Sequence, residues 1–530
     1  MPSPPSELSI QRDHLEKMPQ SSAIPMSDSS TASWLLLAAC VGLLFQCNRK
    51  LRNWINTALS AVIHQYLIRR FPIYHTEDKE QQIPTCPYQF PNGQGDIGKF
   101  LQGMENSEKW MKQNGSIYRI WSGTRQEVVL TRPEHLQLVF KDSDKHLKAV
   151  NNNSGYLMGQ LLGRCVGLIS GQEWKTVRQG VEAPFLRKNA AGYVPLVEKH
   201  IRDHFDHLWK ESNLKEGLLD PAKDLRLLPF WVVAEIFYGE LSPEMRSELR
   251  DLVPLREKLF KDVIRGGIAR FSFSRYLPTK TNRALHQFQR QWKGFNNRAY
   301  HSAVVSSTNA PIVHMYGLIQ NGTMTADQVL QTIDESLYAN LDVTTGGISW
   351  NLVFLAANPV YQDRLRSEYQ ARSNSEDFKQ YVTDGSTLLA ACITESSRLK
   401  PLAAFSVPQA APTARVVDGF LIPAGTDFIV DSLSLNIRND FWGPDSTQYK
   451  PERFLAVGRV GLRYHLWRFG FGPRQCMGKY IADIIIRALL VHLVNNYDLA
   501  ILDPSADWLR NSEMWINHPD MKIACTPQQT

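Results

Sequence analysis

The chain has 530 residues, 43% hydrophobic, 10% aromatic and 21% charged, with thirteen Trp. That composition excludes a disordered protein and leaves room for a large core. The net charge of +7 is spread along the chain with no Lys/Arg block, which excludes a nucleic-acid arm and favours docking to an acidic partner. The cysteines, Cys40, Cys47, Cys86, Cys165, Cys392, Cys476 and Cys525, are odd in number and form no C-x-x-C pair, so neither a disulfide framework nor a zinc site is indicated.

Residues 1–31 are polar and rich in Ser and Pro. Residues 32–47 hold an apolar run, Trp34 to Phe45, closed by Arg49, Lys50 and Arg52. The run is shorter than the ~20 residues a spanning helix prefers, and interfacial Trp34 and the arginines would extend it. Glu7, Asp13, Glu16 and Asp28 outnumber Arg12 and Lys17 ahead of it, so positive-inside logic places the body in the cytosol. The expectation is a single transmembrane anchor over 32–47 with a lumenal tail, the alternative being a buried core helix. Residues 48–94 read as a juxtamembrane segment. It comprises an amphipathic stretch from Trp54 to Phe71, suited to a membrane surface, then a stiff hinge at Pro84, Pro87 and Pro91. Glycosylation-like triplets start at Asn114, Asn152 and Asn321, and a cytosolic body leaves them unmodified.

From residue 95 to 530 no repeat, low-complexity tract or linker interrupts the chain. The periodicity predicts helices over 133–140, 171–185, 194–210, 285–305, 326–357, 360–371, 387–398 and 477–496. Shorter strands are predicted over 117–121, 127–130, 420–422, 427–430 and 522–525. This is one mainly α domain with small β pieces.

Several constellations recur along it. Trp174 and Arg178 stand at i and i+4, on one side of a helix. The run Ala339-Asn340-Leu341-Asp342-Val343-Thr344-Thr345-Gly346 places an acid and hydroxyls within one helical turn. Glu395 and Arg398 stand at i and i+3, so carboxylate and guanidinium share a face, and Pro451-Glu452-Arg453-Phe454 follows. The decisive segment is Phe469-Gly470-Phe471-Gly472-Pro473-Arg474-Gln475-Cys476-Met477-Gly478. A thiolate that ligates haem iron needs a loop presenting sulfur from one side, backbone donors near it, and dryness. Gly472 permits the tight turn, and Gly478 lets the following helix approach a porphyrin face. Arg474 can donate to a propionate, and Phe469 can shield the sulfur.

This last segment matches F-x-x-G-x-R-x-C-x-G at all five fixed positions, and the chain resembles the cytochrome P450 family over nearly all its length after the anchor. The resemblance implies a mainly α P450 fold, small sheets around a buried haem b, and Cys476 as the axial iron ligand. It also implies that Trp174 and Arg178 face a haem propionate, and that Glu395, Arg398 and Arg453 form a buried structural network. The family's A/G-G-x-D/E-T-T/S pattern is departed from: anchored on Ala339 and Asp342, Asn340 stands where Gly is usual and Val343 where the first Thr is usual, whereas a shift by one puts Thr344 at the first Thr position and loses the acid. Asp342 and Thr344 are the expected proton-relay residues, because O2 scission needs two delivered protons.

The implied reaction inserts one oxygen atom from O2 into a hydrophobic small molecule. The 54 residues after Cys476 are too few for a flavin domain, so a separate NADPH–cytochrome P450 reductase is expected, with Lys479, Arg463 and Arg468 on the docking face. The expected location is the endoplasmic reticulum membrane. Candidate substrate walls are Leu157, Met158, Leu161, Leu162, Tyr338, Leu341, Leu402, Phe405 and Val407. The run Ala339 to Pro359 is similar to fungal secondary-metabolism members, including those of epipolythiodioxopiperazine (gliotoxin-like) clusters. Two alternatives are a haem-thiolate isomerase, dehydratase or peroxide user, which Val343 keeps open, and a non-enzymatic haem protein.

Overall fold

A computed structural model describes residues 49–373, 377–456, 461–505 and 507–528, so the expected anchor over 32–47 and the polar tail before it lie outside the described residues. Among the described residues no helix is long and apolar enough to cross a membrane. The chain divides into a short N-terminal unit ending at Ala58 and a body, Leu59–Thr530. The expected amphipathic stretch from Trp54 is helical as far as Arg70, one residue short of Phe71, within the helix Arg49–Arg70.

The body is mainly helical. Its largest sheet has five strands: β1 (Ile117–Ser122), β2 (Arg125–Leu130), β3 (Leu147–Lys148), β5 (Gln409–Ala410) and β8 (Asp427–Val430), in the order β1-β2-β8-β5-β3. The β1–β2 hairpin is antiparallel, and β2 runs parallel to β8 with Leu130 opposite Val430. Between β3 and β5 in chain order lies β4 (Leu218–Leu219), which pairs with β10 (Ile523–Pro527), itself paired with β9 (Tyr497–Ile501). The two-stranded ribbon is β6 (Arg415–Val417) with β7 (Phe420–Ile422).

Five helices position the site. Helix α1 (Gly171–Val181) carries Trp174 and Arg178. Helix α2 (Ala326–Ala339) opens on a capping box in which Thr325 and Gln328 satisfy each other's end of the first turn. One π turn, Asn340–Thr344, joins it to α3 (Thr345–Ala357). Helix α4 (Leu388–Leu399) carries Glu395 and Arg398, and α5 (Lys479–Asn496) follows the cysteine loop.

The proline-marked segment is not a hinge. Ile73, Ile83, Cys86 and Tyr88 are buried, and Cys86 N–H donates to the Arg119 carbonyl (2.9 Å) while Arg119 N–H donates to that of Pro84 (2.8 Å). Residues 83–88 thus lie along the edge of β1. Proline tolerates an edge position because its missing N–H can face away from the ladder. The compact body accordingly begins at Leu59, ahead of the expected boundary at residue 95. Of the three triplets, Asn152 is buried, Asn114 is half-buried with its amide donating to the Trp110 carbonyl (2.9 Å), and Asn321 is exposed, so Asn321 is the accessible reporter of topology.

Glu395 and Arg398 have no exposed side-chain surface. Arg398 donates from Nε to Glu395 Oε2 (2.7 Å) and from Nη2 to Oε1 (2.8 Å), and its Nη1 reaches the Asn436 and Ser446 carbonyls (2.9 and 2.6 Å). Arg453 Nε completes the network on Glu395 Oε1 (3.0 Å), beside the Lys450 N–H (2.9 Å). Removing one partner strands a buried charge, at a cost of about 3–5 kcal/mol. Glu395→Ala should therefore lower unfolding stability by about that amount in denaturant titration. Arg298→Ala, which breaks the exposed pair with Glu248, should cost about 0–1 kcal/mol.

Candidate active site

The cysteine loop is held at its entry by Asn436. The Asn436 side chain accepts the Trp467 N–H (2.7 Å) and donates to the Trp467 carbonyl (3.0 Å). Trp467, Phe471 and Phe140 then cluster edge to face, with centroids 5.0–6.2 Å apart. Gly472 has φ +66°, and a Cβ there would run into Ser143 Oγ, so only glycine both turns and fits. Cys476 N–H donates to the Phe469 carbonyl (2.8 Å), closing the loop. The Phe469 ring lies under the Arg468 guanidinium (4.4 Å), and Arg468 is tied inward to Asp483 and Ser397.

Cys476 has accessible surface, whereas Cys86, Cys165, Cys392 and Cys525 are buried. That surface opens inside the body: burial is the largest influence on the thiol and pushes its pKa up. The Gly478 N–H, directed at the sulfur, opposes this, helped by Arg178 and Lys479. A backbone donor at the sulfur is what a ligating thiolate needs.

Near the sulfur three cations gather. The Arg474 guanidinium stacks on the Trp174 ring (4.4 Å) and donates to the Ile169 carbonyl (2.8 Å). Burial, and then Arg178, push its pKa down to about 10. Lys148, on β3, is pushed down to about 8 by burial and then by Arg474. Arg178 is paired with Glu182 (2.8 Å). Glu335 on α2 weakly offsets the charge of Lys148 and Arg474; it also accepts the Gly167 N–H (3.1 Å). Depressed guanidinium and ammonium groups in one place mark a site short of negative charge. A haem, with two propionates and a need for one thiolate, fits that set. Lys148 is a member the sequence did not reveal, because its neighbours come from distant segments.

On the long helix, the half-buried residues from α2 into α3 include Gln331, Glu335, Ser336, Ala339, Asn340, Val343 and Gly347, recurring every three or four positions, while Leu341, Asp342, Thr344 and Thr345 are buried. Val343 therefore belongs to the open stripe. Asn340 N–H turns to the Leu337 carbonyl, and its side-chain amide donates to that of Ser336 (2.5 Å). This fixes Oδ1 toward Thr344, whose hydroxyl donates to it (2.6 Å). Asp342 is held differently. Its Oδ1 accepts from Arg226 (2.9 Å), its Oδ2 from the Trp515 indole (2.8 Å), and its carbonyl from His518 Nε2 (2.7 Å). Burial keeps the His518 pKa below its usual value, and a carbonyl only accepts, so the proton sits on Nε2.

Among the expected substrate walls, Leu402 borders the stripe, 3.9 Å from where a Cβ on Gly347 would lie. Tyr338 sits instead among Phe230, Phe288 and Trp292, Leu341 is in the core, Phe405 packs on Trp110, and Val407 is exposed. Leu157, Met158, Leu161 and Leu162 are core residues too.

Residues 96–524 match the profile of the family described as Cytochrome P450. The chain belongs to the cytochrome P450 family. It is 55% identical over 469 residues to the cytochrome P450 monooxygenase aclC of Aspergillus oryzae, covering 88% of this chain and 96% of that protein. It is 51% identical over 467 residues to asaD of Aspergillus flavus (88% and 90%), and 42% identical over 506 residues to gliC of Aspergillus fumigatus (93% and 97%), both also cytochrome P450 monooxygenases. The protein is thus a P450 monooxygenase, and membership implies a haem-thiolate cofactor.

The cationic cluster yields a prediction for this P450. Lys148→Met should speed haem transfer to apomyoglobin by about tenfold, an effect of losing one charge-assisted contact. An unchanged transfer rate would remove Lys148 from the cradle.

Proposed function

We propose that this P450 oxidises an apolar cyclic dipeptide (diketopiperazine) in fungal secondary metabolism, with Cys476 as the iron ligand. The observation that carries the site assignment is an interior-facing thiol with a backbone donor, beside a cluster of buried cations in which burial depresses Lys148 and Arg474. Arg474, Arg178 and Lys148 would hold the propionates, with Trp174 stacked behind Arg474. Phe469, Gly472 and Gly478 shape the loop around the sulfur. Bound there, haem supplies O2 activation and transfer of one oxygen atom to a C–H bond. The high identity to relatives named as monooxygenases of Aspergillus species supports the setting, and the run Ala339 to Pro359 supports the substrate class.

The chain's own part is to orient hydroxyl and substrate. Because Thr344 gives its hydrogen to Asn340, which lies on the half-buried stripe, its oxygen keeps lone pairs to receive a further hydrogen bond. The Asn340–Thr344 couple thereby takes up the role left open by Val343. Electrons come from a separate NADPH–cytochrome P450 reductase. Exposed Arg463 and half-buried Lys479 are suited to its acidic face, whereas Arg468 is engaged inward. We assign residues 32–47 as a single-pass anchor in the endoplasmic reticulum membrane, with the body cytosolic. Its support is the charge difference across the run.

The test uses purified enzyme with reductase, NADPH and a panel of aromatic cyclic dipeptides. At least one should blue-shift the Soret band and yield a product carrying one atom from labelled O2. Thr344→Ala and Asn340→Ala should each lower product per NADPH by about tenfold and divert electrons to peroxide. Conversion without NADPH and reductase would overturn the monooxygenase mechanism, and a shift only with steroids or fatty acids would overturn the substrate class.

A further inference from the structure

Residues 509–520 form a hairpin. Asp520 N–H donates to the Leu509 carbonyl and Asn511 N–H to that of His518 (both 2.9 Å), and Arg510 bridges Pro519. Its tip carries Trp515 and Ile516. Trp515 is wedged edge-on between Phe100 (6.2 Å) and Phe260 (4.9 Å), and its indole N–H ends on Asp342. The hairpin is also joined to the segment after α4: Asn517 N–H donates to the Leu402 carbonyl (2.9 Å) and its side chain to that of Pro401 (3.1 Å). Trp350 on α3 donates to the Asn517 carbonyl (2.8 Å).

These contacts meet at Gly346. A Cβ there would sit 3.1 Å from Ile516, 3.2 Å from Leu402 and 3.3 Å from the Asn517 carbonyl. Hairpin and Leu402 thus rest directly on the backbone of the long helix, one turn beyond Asp342. Both carboxylate oxygens of Asp342 are occupied by groups that can only donate, a guanidinium and an indole N–H. A proton arriving on that carboxylate has no acceptor among these partners. What the carboxylate does have is a grip on two separate elements: Arg226, which also pairs with Glu257, and the hairpin tip.

We propose that Asp342 is a positioning residue which, through Trp515, fixes the hairpin and hence Leu402 as the ceiling of the substrate pocket, setting which bulky ligands the pocket accepts. Proton delivery then falls to the Asn340–Thr344 side of the helix. The inference rests on the haem reading above and replaces the relay role expected for Asp342 from sequence.

Two azoles whose nitrogen ligates haem iron separate the possibilities: 1-phenylimidazole, which is small, and clotrimazole, which carries three aryl rings. Asp342→Asn and Trp515→Phe should each change clotrimazole affinity by about tenfold, read from the Soret shift, and leave 1-phenylimidazole within about twofold. Both should also speed hydrogen exchange over 509–520 by about tenfold while the rest of the body keeps its protection. The proposal is overturned if Trp515→Phe changes neither clotrimazole binding nor exchange. It is equally overturned if Asp342→Asn alone diverts electrons to peroxide with clotrimazole affinity unaltered. If neither azole shifts the Soret band of the wild-type protein, the haem reading itself has failed.

Discussion

The placement of Cys476 depends on a buried carboxylate–guanidinium pair that never touches it. Arg398, held by both oxygens of Glu395, grips the Asn436 carbonyl, and the Asn436 side chain clamps Trp467 by N–H and carbonyl together. Trp467 begins the loop that ends at the sulfur. A charge buried so completely must be fully satisfied or the region cannot close. Arg398 meets that demand with carbonyls from two other segments, which ties them to α4. A structural ion pair thereby becomes the frame of the reaction centre.

Electrostatics on the other side of the sulfur work in the opposite sense. The Glu395 network is balanced within the protein; the cluster of Lys148, Arg178 and Arg474 is not. Burial and mutual repulsion hold Lys148 and Arg474 below their ordinary values, and Glu182 and Glu335 offset only part of the charge. Such an arrangement costs stability in the polypeptide alone and is relieved by a dianionic ligand. The same chain therefore spends one charge network on its fold and keeps another for its cofactor.

What the sequence revealed follows from how local each demand is. The cysteine loop was legible because its turn, its donor and its cation lie within ten residues. Glu395 and Arg398 were legible because one helical turn brings them together. Lys148, Arg226, Trp515 and His518 were not, since each acts on a partner from a distant segment. Helix Leu228–Tyr238 is buried nearly all round and offers no polar face for a 3.6-residue period to show. Helix Pro243–Arg265 contains Pro254, which reads as a breaker. The long helix was anticipated over its full span, but not its π turn: apolar spacing does not fix where one extra residue enters the register. That turn separates the two residues read as a pair, sending Asp342 to Arg226 and Trp515 while Thr344 turns to Asn340.

The most direct measurement is the carbon monoxide difference spectrum of the reduced protein, recorded for wild type and Cys476→Ser at equal haem content. The structure predicts a red-shifted Soret band in wild type that is lost in the variant, because only a thiolate at this loop donates enough charge to the iron. Retention of that band in Cys476→Ser, or its absence from intact, haem-loaded wild type, would contradict the assignment of Cys476 as the axial ligand.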